Sequence, residues 1–231
     1  MNMNMIAMLQ KVPLFSELNE TELSSIATLA SSIEVKKKNI IVQEFDPGES
    51  IYIILKGEVK VSTYSIDGRE VVLALLSKGS FFGEMSLLDK EPRSATVTTM
   101  SNTTIAHIRR RDLLPLLMER PAITLKLMTE TCSRLRRTSR LLERISSMDV
   151  PHRLYAYIVD HCQRFSHPDH QGRFSTILPT HQLLADQLCT SRETISRAIS
   201  MLKKEAILQQ GESRGNMSVD VQALEERLED M

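Results

Sequence analysis

The chain has 231 residues, 42% of them hydrophobic, 25% charged and only 4% aromatic, with no Trp; this suits a globular protein with room for two small cores and excludes collagen-like and disordered classes. Its 29 basic residues balance its 29 acidic ones, so any grip on a polyanion must be local rather than a property of the whole surface. Three widely spaced cysteines, Cys132, Cys162 and Cys189, build neither a disulfide framework nor a C-x-x-C metal pair and point to a reducing, cytoplasmic setting.

The opening MNMNMIAMLQ lacks the basic n-region and small-residue cleavage site of a secretory signal, and no apolar run approaches a bilayer span, so no membrane partner is expected. From Pro13 to Ala30, Leu23, Ile26, Ala27 and Ala30 fall at helical spacing behind the potential caps Asn19 and Thr21. From Ile33 to Ile108 the texture changes to short β-branched runs, NIIVQEF, SIYIIL, EVKVSTY, EVVLALL, SATVTTM and TIAHI. Turn signals at Asp46-Pro47-Gly48, Lys56-Gly57, Asp67-Gly68 and Lys78-Gly79 separate them. Short strands at this spacing predict an antiparallel β-barrel or jelly roll.

After Arg111 the pattern is helical, with Pro115 and Pro121 as expected breaks and one long helix starting near Pro121. Along it Leu125, Met128, Cys132, Leu135, Ser139, Leu142 and Ser146 follow alternating steps of three and four, the seam of a two-stranded coiled coil and hence of a homodimer. The same stripe also fits a helix packed on its own barrel. Asp149-Val150-Pro151 reads as a cap followed by a fresh helix. The expected division is therefore 1–120 for the barrel with its helical preface, 121–148 for the dimerisation helix and 149–231 for a C-terminal domain. In that domain RFSHPDHQGRF is polar and turn-rich, two helices between Leu178 and Leu208 flank Cys189-Thr190-Ser191, a small hairpin follows, and the chain closes on the acidic tail DVQALEERLED.

FFGEMSLLDKEPRSA, from Phe81 to Ala95, joins a glycine that permits close backbone approach, a short helix start whose free N–H groups suit an anion, and an arginine that neutralises phosphate. The string resembles the phosphate-binding cassette of the CRP/FNR-type (catabolite activator) family. The resemblance implies that Gly83 and Ser94 hydrogen-bond a cyclic phosphate, Arg93 pairs with its charge and Glu84 holds the ribose 2′-hydroxyl. Taken singly, Glu84 and Arg93 would pass for a surface ion pair of little worth. Thr138-Ser139 stands where cAMP-responsive members carry hydroxyls that contact adenine, one from each subunit. The effector implied is a cyclic nucleotide, cAMP before cGMP or cyclic di-GMP, with no metal; a ligand-free, constitutive protein stays open, because the cassette is one residue shorter than in the best-known cAMP receptor and carries Pro92. No cysteine precedes Cys132, which excludes the iron–sulfur branch of the family.

THQLLADQLCTSRETISRAISMLKKEAIL, from Thr180, is similar to the family's helix-turn-helix. Ile195, Ala198, Ile199 and Leu202 make a buried stripe, leaving Glu193, Ser196, Arg197, Ser200 and Lys204 outward with Arg192 at the helix start. Arginine can read guanine and glutamate can accept from cytosine, so Arg192, Glu193 and Arg197 are the base-reading candidates, with Ser191 and Thr194 on phosphate. Cys189 stands where many such turns place glycine and is expected to be buried as a small hydrophobe.

Other clusters carry less. His161, Cys162, His167, Asp169 and His170 match no familiar metal spacing, and Arg134, Arg136, Arg137, Arg140 and Arg144 read as a solvated helix face. Neither G-x-S-x-G nor H-E-x-x-H occurs, so no catalytic residue is assigned and the chain is read as a regulator rather than an enzyme. The expected fold is α+β: a cyclic-nucleotide-binding jelly roll, a long dimerisation helix and a winged helix-turn-helix. The family implies double-stranded DNA with two-fold half-sites like TGTGA as target and RNA polymerase as further partner; a nucleotide sensor acting through protein partners is the alternative.

Overall fold

The computed structural model describes residues 2–211, 213 and 215–229; Asp230, in the acidic tail, lies outside the described residues. The chain divides into two compact units, residues 1–137 and 138–231.

The first unit opens with α1 (Asn2–Leu9), which the sequence reading did not anticipate, then a 3-10 turn at Pro13–Phe15 and α2 (Glu20–Leu29). Asn19 starts α2 through a reciprocal capping box: its side chain accepts from the Glu22 backbone N–H at 3.0 Å while the Glu22 carboxylate accepts from the Asn19 N–H at 2.9 Å. Eight strands follow: β1 (Ser31–Val35), β2 (Ile40–Val42), β3 (Ser50–Lys56), β4 (Glu58–Tyr64), β5 (Glu70–Ser77), β6 (Phe81–Phe82), β7 (Thr96–Thr99) and β8 (Thr103–Arg109), with α3 (Glu84–Asp89) between β6 and β7. They form two four-stranded antiparallel sheets, ordered β1-β8-β3-β6 and β2-β7-β4-β5, the jelly roll expected of short strands protecting their edges.

The run IYIIL is apolar at successive positions because β3 is covered on both faces. Ile51, Ile53 and Leu55 join one core with Leu23, Ile26 and Leu113, while Ile54 and Tyr52 belong to a second with Phe82, Val59 and Ile105. Phe81 and Phe82 are split the same way, Phe81 into the first core and Phe82 into the second.

Two helices follow, α4 (Arg110–Glu119) and α5 (Pro121–Ser147). Pro121 opens α5 as expected, but Pro115 breaks nothing: it sits inside α4. The proline is exposed, so the Arg111 carbonyl it leaves without a helical donor can turn to water, and the buried Leu113 and Leu117 on either side hold the helix against the core. The first half of α5 buries Ile123 and Leu127; the seam residues Leu125, Met128, Leu135 and Leu142 are 66%, 56%, 67% and 67% exposed.

In the second unit α6 (Val150–Phe165) starts on an Asp149 cap that accepts from the His152 N–H at 3.0 Å, with proline in the first turn. Then come β9 (Phe174–Thr176), α7 (His181–Gln187), α8 (Arg192–Lys204), β10 (Leu208–Gln210), β11 (Met217–Val219) and α9 (Val221–Glu229). The expected hairpin gains a third strand, giving the order β10-β11-β9. β9 was hidden because it is three residues long and lies in polar sequence; Arg173 fastens it, donating to the Ser218 hydroxyl at 2.8 Å and to the Ile207 carbonyl at 3.0 Å. Leu154, Ile158, Cys162, Leu184, Ile195, Leu202 and Leu224 form the core of this unit.

Hydrogen bonds from the His152 backbone and ring, with the nearby charge, hold the Asp149 carboxyl below its ordinary value. Its stabilising contribution is therefore complete above the ordinary aspartate range and is lost as pH falls through the lowered folded-state value. Asp149→Ala should cost about 1 kcal/mol in urea unfolding near neutral pH, and the gap to the parent should close as the solution is acidified.

Candidate functional site

Gly83, between β6 and α3, has φ +80, a left-handed conformation that favours glycine. A side chain here would also collide: a Cβ would lie 2.5 Å from Arg93 Nη1 and 3.0 Å from the Ser50 carbonyl oxygen. Gly48 is pressed from another side, where a Cβ would come within 2.7 Å of Arg93 Nε and 2.5 Å of Ser86 Cβ. Both glycines are small because the Arg93 side chain passes against them.

Arg93 is 5% exposed. Its Nη1 donates to the Gly83 carbonyl and its Nη2 to the Ser50 carbonyl, each at 2.8 Å. Among the described residues no carboxylate forms an ion pair with it. Glu84, 4% exposed, is paired instead with Arg134 of α5, whose Nη1 lies 3.2 Å from Oε1. The surface ion pair between Glu84 and Arg93 thus does not exist. Burial pulls the Arg93 guanidinium below its usual value, with Tyr52 and Glu84 acting in the opposite direction. Among the described residues its hydrogen bonds go to two neutral carbonyls, so the buried charge has no counter-ion there.

Ser94 is exposed, and among the described residues its hydroxyl meets the weakly accepting Met85 thioether, at 3.6 Å. Gly83, Glu84, Arg93 and Ser94 are therefore gathered around α3. Thr138 and Ser139 are exposed on α5, in the second unit.

Sequence reasoning missed Arg134. It was grouped with a solvated arginine face, yet it also donates through Nη2 to the Phe81 carbonyl at 2.6 Å, packs its guanidinium 4.7 Å from the Phe81 ring centroid and meets Glu130 at 3.3 Å. Arg137 shares Glu130 at 2.9 Å, and Arg144 pairs with Asp160 at 2.8 Å. The one available signal was the i, i+4 spacing of Glu130 and Arg134; their long-range partner leaves no trace in the local pattern.

In the second unit, Thr180 caps α7, and Ser191 caps α8 by accepting from the Thr194 N–H at 3.1 Å. The Ser191 and Thr194 hydroxyls lie 2.9 Å apart at the helix start. Ile195, Ile199 and Leu202 are buried, while Ser191, Arg192, Glu193 and Arg197 are exposed, so the base-reading candidates share the free face. Hydrogen bonding from its own backbone and then from Ser191, with Arg192 and Arg197 nearby, holds the Glu193 carboxyl below its ordinary value; it is an acceptor at neutral pH.

Cys189 contradicts its expected burial. It is exposed and has φ +52, so it occupies the left-handed position of the missing glycine and turns its thiol outward. The turn is steadied from outside by Arg153 of α6, whose Nη1 donates to the Leu188 carbonyl at 2.7 Å. His161 packs against Tyr157 and Phe165 and faces the Ile177 carbonyl at 3.2 Å, and Cys162 is buried in the core. No cluster of three or more metal-ligating side chains occurs among the described residues.

Residues 32–120 match the cyclic nucleotide-binding domain and residues 152–227 the Crp-like helix-turn-helix domain. The chain is 32% identical over 171 residues to the cyclic AMP receptor protein of Thermus thermophilus, covering 74% of this chain and 76% of that one. The chain belongs to the CRP/FNR family of transcription regulators. A CRP-like cAMP-activated global transcriptional regulator of Mycobacterium tuberculosis is 27% identical over 192 residues, 83% of this chain and 86% of that one. The c-di-GMP responsive regulator CLP of Xanthomonas campestris shares the fold at a TM-score of 0.73 and 22% identity, covering 87% of this chain and 98% of that one. The CRP/FNR assignment makes the Arg93 cradle part of a cyclic nucleotide-binding domain and α8 the second helix of a DNA-binding helix-turn-helix. Among the described residues no helix is long and apolar enough to cross a membrane.

Gly83→Ala combines a left-handed backbone with a displaced guanidinium, and the backbone part alone costs about 1–2 kcal/mol. Calorimetric titration should show cyclic-nucleotide affinity reduced by about tenfold or more, with the isolated helix-turn-helix contacts unaffected.

Proposed function

We propose that this protein is a cytoplasmic, homodimeric transcription regulator, not an enzyme, whose grip on a palindromic DNA site is set by cAMP. The observation that carries the reading is Arg93, a buried guanidinium with carbonyl neighbours and, among the described residues, no carboxylate partner. A cyclic phosphodiester carries one negative charge and would complete that site, with Ser94 adding a donor.

The choice of cAMP draws support from the relatives named above and from the resemblance of Thr138-Ser139, exposed on α5, to the hydroxyl pair of cAMP-responsive members. The dimer draws support from the apolar seam of α5, whose Leu125, Leu135 and Leu142 are each about two-thirds exposed in one chain. Glu84 supplies the coupling: a ribose hydroxyl that reaches its carboxylate competes with Arg134 of α5, so the ligand acts directly on the helix that would form the dimer. RNA polymerase is the partner through which DNA occupancy would be read out.

Fluorescence anisotropy of a TGTGA-type palindromic duplex at fixed moderate salt tests the whole reading. Saturating cAMP should tighten binding, and cGMP or cyclic di-GMP should not; tightening by cyclic di-GMP alone would transfer the effector assignment to it, and binding indifferent to all three would sink nucleotide control.

Two variants separate the halves. Arg93→Leu should abolish calorimetrically detected cAMP binding while the protein stays folded and dimeric by light scattering, and an unchanged titration would remove Arg93 from the site. Glu193→Ala should weaken specific DNA by about tenfold and random DNA much less; equal losses on both duplexes would strip Glu193 of a base-reading role.

A further inference from the structure

The cradle around Arg93 also contains an aromatic side chain from the sheet. Tyr52 lies on β3 two residues beyond Ser50, whose carbonyl holds Arg93 Nη2. It is paired across the sheet with Phe82 on one side and His107 on the other. Its ring stacks on Phe82 with centroids 5.1 Å apart and planes 12° from parallel, and the Arg93 guanidinium carbon sits 5.6 Å from the Tyr52 centroid. Phe82 is 3% exposed, so the Tyr52 ring is backed by a fixed surface.

A guanidinium has five N–H donors, and the two carbonyls take one from each terminal nitrogen. Two such bonds fix the end of the side chain but leave it free to tilt about the line joining them. A backed aromatic face removes that freedom, and its negative quadrupole offsets part of the cost of keeping the charge out of water.

We propose that Tyr52 is a positioning residue for the anion-binding arginine: its Phe82-backed ring holds the Arg93 guanidinium in the orientation that receives phosphate. The site then meets its ligand already formed, and the ordering of a long flexible side chain is completed on folding rather than on binding. The proposal rests on the nucleotide reading of this site only for its choice of ligand; the restraint on Arg93 exists in the unliganded protein.

Two measurements test it. In the first, cAMP and its neutral cyclic phosphotriester are titrated calorimetrically into the full-length protein and into Tyr52→Leu, Tyr52→Phe, Arg93→Leu and the Tyr52→Leu/Arg93→Leu double variant. Tyr52→Leu should weaken cAMP about thirtyfold, the size of a desolvated cation–π contact, and leave the uncharged ester within about twofold. Tyr52→Phe should restore cAMP binding, and Tyr52→Leu should add nothing to Arg93→Leu. Equal weakening of the two ligands, or additive losses in the double variant, would show a merely structural role and overturn the proposal.

In the second, rotation of the Arg93 guanidinium in the ligand-free protein is followed by nitrogen NMR. Rotation should be slow in the parent and in Tyr52→Phe and fast in Tyr52→Leu; equal rates in all three overturn the proposal. Restrained rotation in a parent that binds no cyclic nucleotide would refute the ligand assignment and keep the positioning role.

Discussion

Arg93 carries a full positive charge into a space where water is scarce, and most of the first unit's local sequence can be understood as what that requires. Two backbone carbonyls face it from different elements, Gly83 after β6 and Ser50 at the start of β3, so the two must be brought together before the side chain can settle. Gly48 and Gly83 lack side chains where the guanidinium passes, and an aromatic pair supports its face. None of these neighbours neutralises the charge.

Glu84 shows the complementary arrangement. Its carboxylate is as deeply buried as Arg93 and adjoins the same turn, yet it takes its countercharge from α5 rather than from the arginine in its own cassette. On the proposed reading Arg93 would meet a ligand while Glu84 is tied to α5, so a ribose hydroxyl reaching Glu84 would act on the same carboxylate as a movement of that helix. Linkage between a binding site and a remote element needs no longer chain of contacts than this.

The sequence revealed elements whose cause is local. The Asn19 and Asp149 caps and the i, i+3, i+4 stripe of α8 depend on residues a few positions apart, and each sits where its pattern puts it, whereas the short β1 and β6 fall outside every strand run read from the sequence. The cassette was legible because glycine, glutamate, arginine and serine fall within one short stretch. What stayed hidden depends on partners far along the chain. Arg134 was indistinguishable from its neighbouring arginines until Glu84 and Phe81 were placed beside it, Tyr52 looked like one more strand residue, and β9 pairs with a strand more than 40 residues away. Pro115 and Cys189 failed for a related reason: proline usually ends helices and cysteine is usually buried, but solvent on one side of α4 and the Arg153 bond to Leu188 make room for the exceptions.

The interruption between α5 and α6 has a bearing on how such a protein can be assembled over evolutionary time. Because α6 begins on its own aspartate cap with proline in its first turn, its start is encoded within three residues and owes nothing to the sequence of the preceding helix. A DNA-reading module that carries its own starting signal can be joined behind sensors of different chemistry without relearning how to fold, and a new input then has only to find a way of moving the helix in front of it.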